Sequence, residues 1–292
     1  MAGSGVSGFR AKRELGDRLR GLRGKVTAAN VGRQVNLSPS QLTRIENGLR
    51  NCTPEVLARL VKYYELTDGE AADLLELAQR VWDASPPWWE EYDDVLTRNY
   101  ATLIEREADA TRRRDYHPVL IPAHLQTAGY SRAVTGIGFF SLGPDQVDDL
   151  VAVRTRRQRR LYEPPLLSIE TVITEAALRF EVGGPEVHRG QLLHLLNLTE
   201  LAHVSVRVIS YRAGAGGTQA SAFNILSYED PENPDATSEP EVAFVHNIAG
   251  NEMKTDLRDL RRLNRLHDSL VRDALSTEDS RALIANIERE LD

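Results

Sequence analysis

A single cysteine, Cys52, in 292 residues excludes an internal disulfide and a zinc site built on thiolates. No apolar run approaches the ~18 residues of a membrane span and no signal-peptide pattern is present, so a soluble, cytoplasmic protein is expected, nucleoid-associated if it binds DNA. Lysine is nearly missing, at Lys12, Lys25, Lys62 and Lys254 only. Arginine therefore carries the positive charge, a mark of a GC-rich genome rather than of a mechanism. The seven histidines, His117, His124, His188, His194, His203, His246 and His267, are scattered and none forms H-x-x-x-H. The glycine stretch 213–220 lacks G-K-[ST] and lies between two strand signals, where a hairpin loop is expected rather than a phosphate cradle. No catalytic residue, metal or cofactor is assigned, and the chain is not expected to be an enzyme.

What is present divides in two. The length suggests two domains, each long enough to bury a core. The net charge of −7 is spread unevenly: residues 1–50 hold ten basic side chains against Glu14, Asp17 and Glu46. That is about +7, which leaves about −14 for the rest. A basic end on an acidic body fits a chain that touches a polyanion only through its N-terminal part.

The expected fold class is α+β. Residues 1–11, small and glycine-rich at their start, read as a flexible arm. Helical spacing then recurs over 12–23, 27–35 and 38–47, from Thr53 on through Val56, Leu57, Leu60 and Val61, and over 68–81, giving a five-helix domain at 12–82. A linker at 83–91 follows, with two prolines and the pair Trp88 and Trp89. From 92 to 292 the pattern is mixed. Residues 92–114 read as helical, then come a short extended piece, a helix, and a longer helix with the basic run Arg154 to Arg160. Strand signals follow at 166–173, 204–210, 222–228 and 241–247, with helices at 185–201, 254–274 and 277–291.

The stretch NLSPSQLTRIENGLRN, 36–51, carries its own start and stop signals: Ser38 as N-cap, Pro39 at the first helical position, Gln41 where a capping box needs it, and Asn47 with Gly48 as the end. Its outward residues Ser40, Thr43, Arg44 and Asn47 are polar and singly positive, unlike an ordinary solvated helix. The preceding helix, capped by Thr27, is joined to it by a turn at Asn36 and Leu37, with Gly32 where the two would cross closely.

TAANVGRQVNLSPSQLTRIENG resembles the repressor-like helix-turn-helix domains of the XRE/Cro type. The resemblance implies a recognition helix in the major groove. Ser40 and Arg44 would read bases, Pro39, Gln41 and Thr43 would make further contacts, and Thr27, Ser38 and Asn47 would hold the backbone. It further implies an internal pair of Glu46 with Arg23. Two departures stand out: Ala28 replaces the usual glutamine, and the connection after Arg23 is short. Phosphate contact is then left to Arg10, Lys12, Arg13 or Lys25. From Trp88 onward, stretches such as LIPAHLQTAGYSRAV, VRTRRQRRLY and TEAALRFEVGGPEVHRGQL resemble DUF5753, the Scr1-like, antitoxin-like domain of actinomycete regulators. That resemblance implies a regulatory domain with a small DUF397-type partner or a small-molecule effector.

The reading is a sequence-specific transcriptional regulator acting as a homodimer. The alternative is an antitoxin-like protein that neutralises a small partner and uses DNA binding for autoregulation. Several features remain open between two roles. The run Arg154 to Arg160 is expected to be a solvated face balanced by Asp145, Asp148 and Asp149, with a second polyanion contact as the alternative. Trp88 and Trp89 would seal a domain interface or stack on a ligand. Leu283, Ile287 and Leu291 would be core or a dimer seam.

Overall fold

The computed structural model describes residues 4–48, 50–84, 86–137, 142–219, 221–228, 239–247 and 250–291. The chain forms two compact units, residues 1–90 and 91–292, within an α+β architecture.

The first unit holds five helices: α1 Ser4–Arg23, α2 Ala28–Val35, α3 Pro39–Glu46, α4 Pro54–Tyr63 and α5 Asp68–Trp82. Threonines 27, 53 and 67 and Ser38 each accept a hydrogen bond from the backbone N–H three residues on, so four of the five starts are capped by their own side chains. Leu15, Leu19, Val31, Leu42, Leu60 and Leu77 are central to the core. The trailing indole Nε1 of Trp82 donates to the Cys52 carbonyl at 2.8 Å, and burial pushes the Cys52 thiol up to about 12, so that it behaves as a small apolar group. The arm expected at 1–11 is a correction. Helix α1 already runs from Ser4, and Ala11 is buried with Leu15 and Leu19 on one stripe. Burial of that stripe outweighs the modest helix penalty of the glycines.

The second unit is built on a six-stranded sheet of order β3-β2-β1-β4-β5-β6. Strands β1 Arg112–His117, β2 Ser168–Thr174 and β3 Val204–Ile209 are parallel; β4 Phe223–Tyr228, β5 Glu239–Asn247 and β6 Gly250–Lys254 continue antiparallel. Alternation along the strands gives two faces. One carries Ile169, Ile173, Val206, Leu226 and Phe244 into the larger core, shared with α6 Arg98–Ala108, α10 Pro185–Leu198 and α12 Thr277–Arg289. The other carries Val172, Phe223, Ile225 and Ala243 against α11 Leu257–Asp273. Helices α7 Ala128–Thr135, α8 Pro144–Gln158 and the single turn α9 Glu175–Arg179 complete the unit.

Three expectations change here and one open alternative is decided. Residues 112–114 are not helical but open the central strand, whose Arg113 and Asp115 are buried by pairing rather than by apolar character. The glycine stretch is no hairpin loop: β3 and β4 are separated in the sheet by β2 and β1, and residues 211–218 form a 3₁₀ stretch within that crossover. Ile287 is buried, and Leu283 and Leu291 pack on the same core, so this stripe is core and not a dimer seam. The arginine run is only in part a solvated face: Arg156 and Arg159 stay at the surface, while Arg154, Arg157 and Arg160 turn inward, as the next subsection describes.

Candidate nucleic-acid interface

The helix pair α2 and α3 is held by backbone geometry before any side chain acts. Asn36 ends α2 in the left-handed conformation, φ 55° and ψ 51°, and its N–H bonds to Gly32 O. A Cβ on Gly32 would lie 2.5 Å from the Leu37 carbonyl oxygen, and one on Gly16 would lie 2.7 Å from both the Ile45 and Glu46 carbonyl oxygens. Gly16 therefore sets how closely α1 approaches the end of α3, and Gly32 how closely α2 approaches the turn.

On α3, Gln41 N donates to Ser38 Oγ at 3.2 Å and Ser38 N donates to Gln41 Oε1 at 2.9 Å, a complete capping box with Pro39 at its first position. Thr27 caps α2 through Asn30 N at 3.3 Å. Ser38, Pro39, Ser40 and Thr43 are exposed, while Gln41, Arg44 and Asn47 are half-buried. Ser40 Oγ lies 3.1 Å from Ser38 Oγ. Arg20 Nη1 donates to Asn47 Oδ1 at 3.1 Å, which orients that amide; Arg20 was not anticipated from the sequence. Among the described residues Arg44 makes no hydrogen bond or ion pair. The face of α3 thus has its ends occupied by caps and its middle, Ser40, Thr43 and Arg44, open.

Behind it the structure brings Arg23 and Glu46 together. Arg23 Nε and Nη2 donate to the two carboxylate oxygens at 2.6 and 3.0 Å, and Glu46 is 2 % exposed. This hydrogen bond raises the Arg23 guanidinium further above its usual range, against the effect of its own burial. Replacing either partner leaves the other charge without its counterpart. We expect Glu46→Ala and Arg23→Ala each to lower the thermal midpoint, with the double variant losing less than the sum, a coupling of about 1 kcal/mol or more. Additive losses would show that the pair contributes nothing. Arg13 is a correction to the phosphate-contacting set: it is buried, with its Cγ against Gly48, so contact from the start of the chain is left to other side chains.

The second unit holds a polar cluster that sequence reasoning missed. Glu107, at the end of α6, accepts from Arg113 Nη1 at 2.6 Å and from Arg157 Nε and Nη2 at 2.8 Å each, with His124 Nε2 at 2.9 Å. All four side chains are at least 96 % buried. Arg113 Nε also donates to Asp115 at 2.9 Å. Burial by itself would raise the Glu107 carboxyl, but the Arg157 guanidinium and His124 beside it hold it well below the usual carboxylate range. Arg154 and Arg160 serve the same wall: Arg154 Nη1 donates to Thr135 Oγ1 at 2.7 Å, and Arg160 donates to the carbonyls of residues 107, 108 and 110, the open end of α6. The spacing of Arg154, Arg157 and Arg160, three apart, was the available signal, since it puts them on one side of a helix.

Beside this cluster the rings of His117 and His246 lie 5.5 Å apart. His246 Nδ1 is 2.6 Å from Asn251 Oδ1 and its Nε2 is 2.7 Å from Asn224 Nδ2. Both ring nitrogens of His246 are therefore occupied, and burial, then His117 and Arg113, lower it to about 4. Among the described residues no group of three or more histidine, cysteine or carboxylate side chains is placed to hold a metal, and no helix is long and apolar enough to cross a membrane.

Compared with known proteins, residues 14–74 match a family model described as a helix-turn-helix domain, and residues 100–286 match one described as a domain of unknown function, DUF5753. No curated protein and no solved structure matches the chain.

Proposed function

The chain belongs to the DUF5753 family and carries a helix-turn-helix domain ahead of it, and from this we propose a sequence-specific DNA-binding regulator in which α3 reads bases and the second unit binds a partner or effector. The observation that carries the reading is Arg44. It sits on a helix whose caps are satisfied internally, beside exposed Ser40 and Thr43, and it has no partner among the described residues. A guanidinium so placed can fork onto guanine O6 and N7. Asn47, Ser38 and Thr27, at helix ends, are suited to phosphates, and Pro39 and Gln41 to positioning. Glu46, which would repel DNA if free, is neutralised inside by Arg23.

One such helix reads only a few base pairs, so two chains on one face of the duplex, about 34 Å apart, are part of the proposal. The dimer contact is assigned to the second unit, though not to the last helix, whose apolar stripe is consumed by the core. The first experiment is genome-wide occupancy mapping of the tagged chain, followed by titration of the full chain on the strongest site. We expect two chains per site, and a loss of about 1 to 3 kcal/mol for Arg44→Ala on that site with little change on random duplex. Ser40→Ala should cost less, because a hydroxyl makes one adaptable bond. A uniform loss on both duplexes, or one chain per site, would overturn base reading by Arg44 or the dimer respectively.

A further inference from the structure

Helix α11 presents a stripe that the core does not use. Arg258, Arg261, Arg262, Arg265 and Arg272 are all exposed. At 100° per residue they fall within about 100° of the helix circumference, along about 21 Å of its axis. The opposite side, Leu260, His267 and Leu270, is the buried one. Among the described residues none of the five guanidinium groups meets a carboxylate.

This is unusual for its own surroundings. Residues 91–292 carry 32 acidic against 23 basic side chains, and several other surface arginines of the unit are paired, while exposed Arg98, Arg159, Arg212 and Arg289 are scattered singly. Arg112 meets Glu170, Arg132 meets Asp148, Arg189 meets Glu288 and Arg281 meets Glu200. Where carboxylates outnumber guanidiniums, five of the latter gathered on one helix face and paired with none form a concentrated positive field, bounded at its two edges by exposed Asp268 and Asp273 of the same helix. The exposed side chain of Leu257, at the head of the stripe, adds an apolar contact at one end.

We propose that the α11 stripe is a docking surface for an acidic amphipathic helix of a protein partner. This rests on the reading of the second unit as partner-binding. Two helices side by side share a 5.4 Å pitch, so carboxylates spaced i, i+3/i+4, i+7 on the partner stay in register with arginines spaced the same way. Forked Arg–carboxylate pairs then form turn after turn. Duplex DNA fits less well. Its phosphates climb about 3.4 Å per step on a curved path that leaves a straight stripe after one or two contacts, and the acidic remainder of the unit repels a long polyanion. A second copy of the chain fits worst, because a twofold contact through α11 would set the two arginine stripes against each other.

The test uses the full chain and two labelled 20-residue helical peptides of identical composition, read by fluorescence anisotropy. One places six glutamates on a single face behind an N-terminal leucine; the other distributes them around the helix. The one-faced peptide should bind about tenfold or more tightly than its isomer, with affinity falling as salt rises. Changing Arg261, Arg262 and Arg265 together to Glu should remove that preference without shifting the thermal melt, since all three are exposed. The same three changed to Lys should bind about threefold more weakly than wild type, keeping charge but losing the fork. Equal binding of the two peptides, or an unchanged affinity in the Glu variant, overturns the proposal. So does a parallel loss of random-duplex affinity in the Glu variant, which would assign the stripe to DNA. Arg44→Ala should leave peptide binding as it is, so a failure of base reading by α3 and a failure of this surface give different results.

Discussion

Glu107→Gln should destabilise the second unit by about 3 to 5 kcal/mol in chemical denaturation, more than any single change to its surface. The carboxylate is the shared acceptor of two buried guanidiniums and a buried imidazole. Removing its charge leaves Arg157 and Arg113 desolvated and short of a counter-charge, and the cost of such a broken buried pair exceeds the net worth of the pair itself. Changing Glu107 to Leu and Arg157 to Met together should therefore cost less than the two singles summed. A loss below about 1 kcal/mol for Glu107→Gln would mean that water or relaxation solvates the cluster.

The same cluster makes a pH prediction. Glu107 is held below its unfolded value, so its contribution is fully present above the unfolded carboxylate pKa and is lost as pH falls toward the folded one. His246 is lowered to about 4, so the unfolded chain takes up its proton first, and stability falls as pH drops from the unfolded histidine range, about 6.5, toward 4. The unfolding midpoint of the second unit should decline in both windows, and His246→Asn should make the decline in the upper one shallower without removing it, because burial also lowers His124, His194 and His267.

Gly32→Ala should destabilise the first unit by about 3 kcal/mol, with specific DNA affinity lost along with stability. The added Cβ would stand 2.5 Å from the Leu37 carbonyl oxygen, a backbone atom that cannot swing away. Either the turn opens or α3 tilts, and both move Arg44 relative to the groove. Gly21→Ala is the control. That position lies in α1 with nothing within 4 Å of a built Cβ, so alanine there should stabilise by about 0.5 to 1 kcal/mol through helix propensity. Hydrogen exchange of the α2 and α3 amides reads both variants. Similar protection in the two would show that the turn absorbs a methyl group.

The first unit was legible because its determinants are local. The Ser38 and Gln41 box, the Thr27 cap, Pro39 and Asn36 each act within four residues, and periodic leucines place the buried faces. The start of α1 was not legible, because what holds it is burial of Ala11 with the rest of its stripe, a contact no short window contains. In the second unit, β1 was unreadable as a strand. Arg112 to Asp115 show no period-2 apolar pattern, since the buried charges of this central strand, Arg113 and Asp115, are held by pairing with each other and with Glu107 of α6 rather than by apolar character.

The sequence by itself determined the five helices' approximate positions, their caps, the uneven charge, and the segments that become four of the six strands. Those follow from propensities, periodicities and composition, which are carried residue by residue. Only the tertiary structure decided that β3 and β4 are sheet-distant, that the last helix is core, and that three arginines of one basic run turn inward to Glu107, Thr135 and the end of α6 while those of α11 remain without carboxylates. A charge in a sequence has no fixed meaning, because its energy depends on what lies within a few ångströms of it, and that is settled only when distant parts of the chain are brought together.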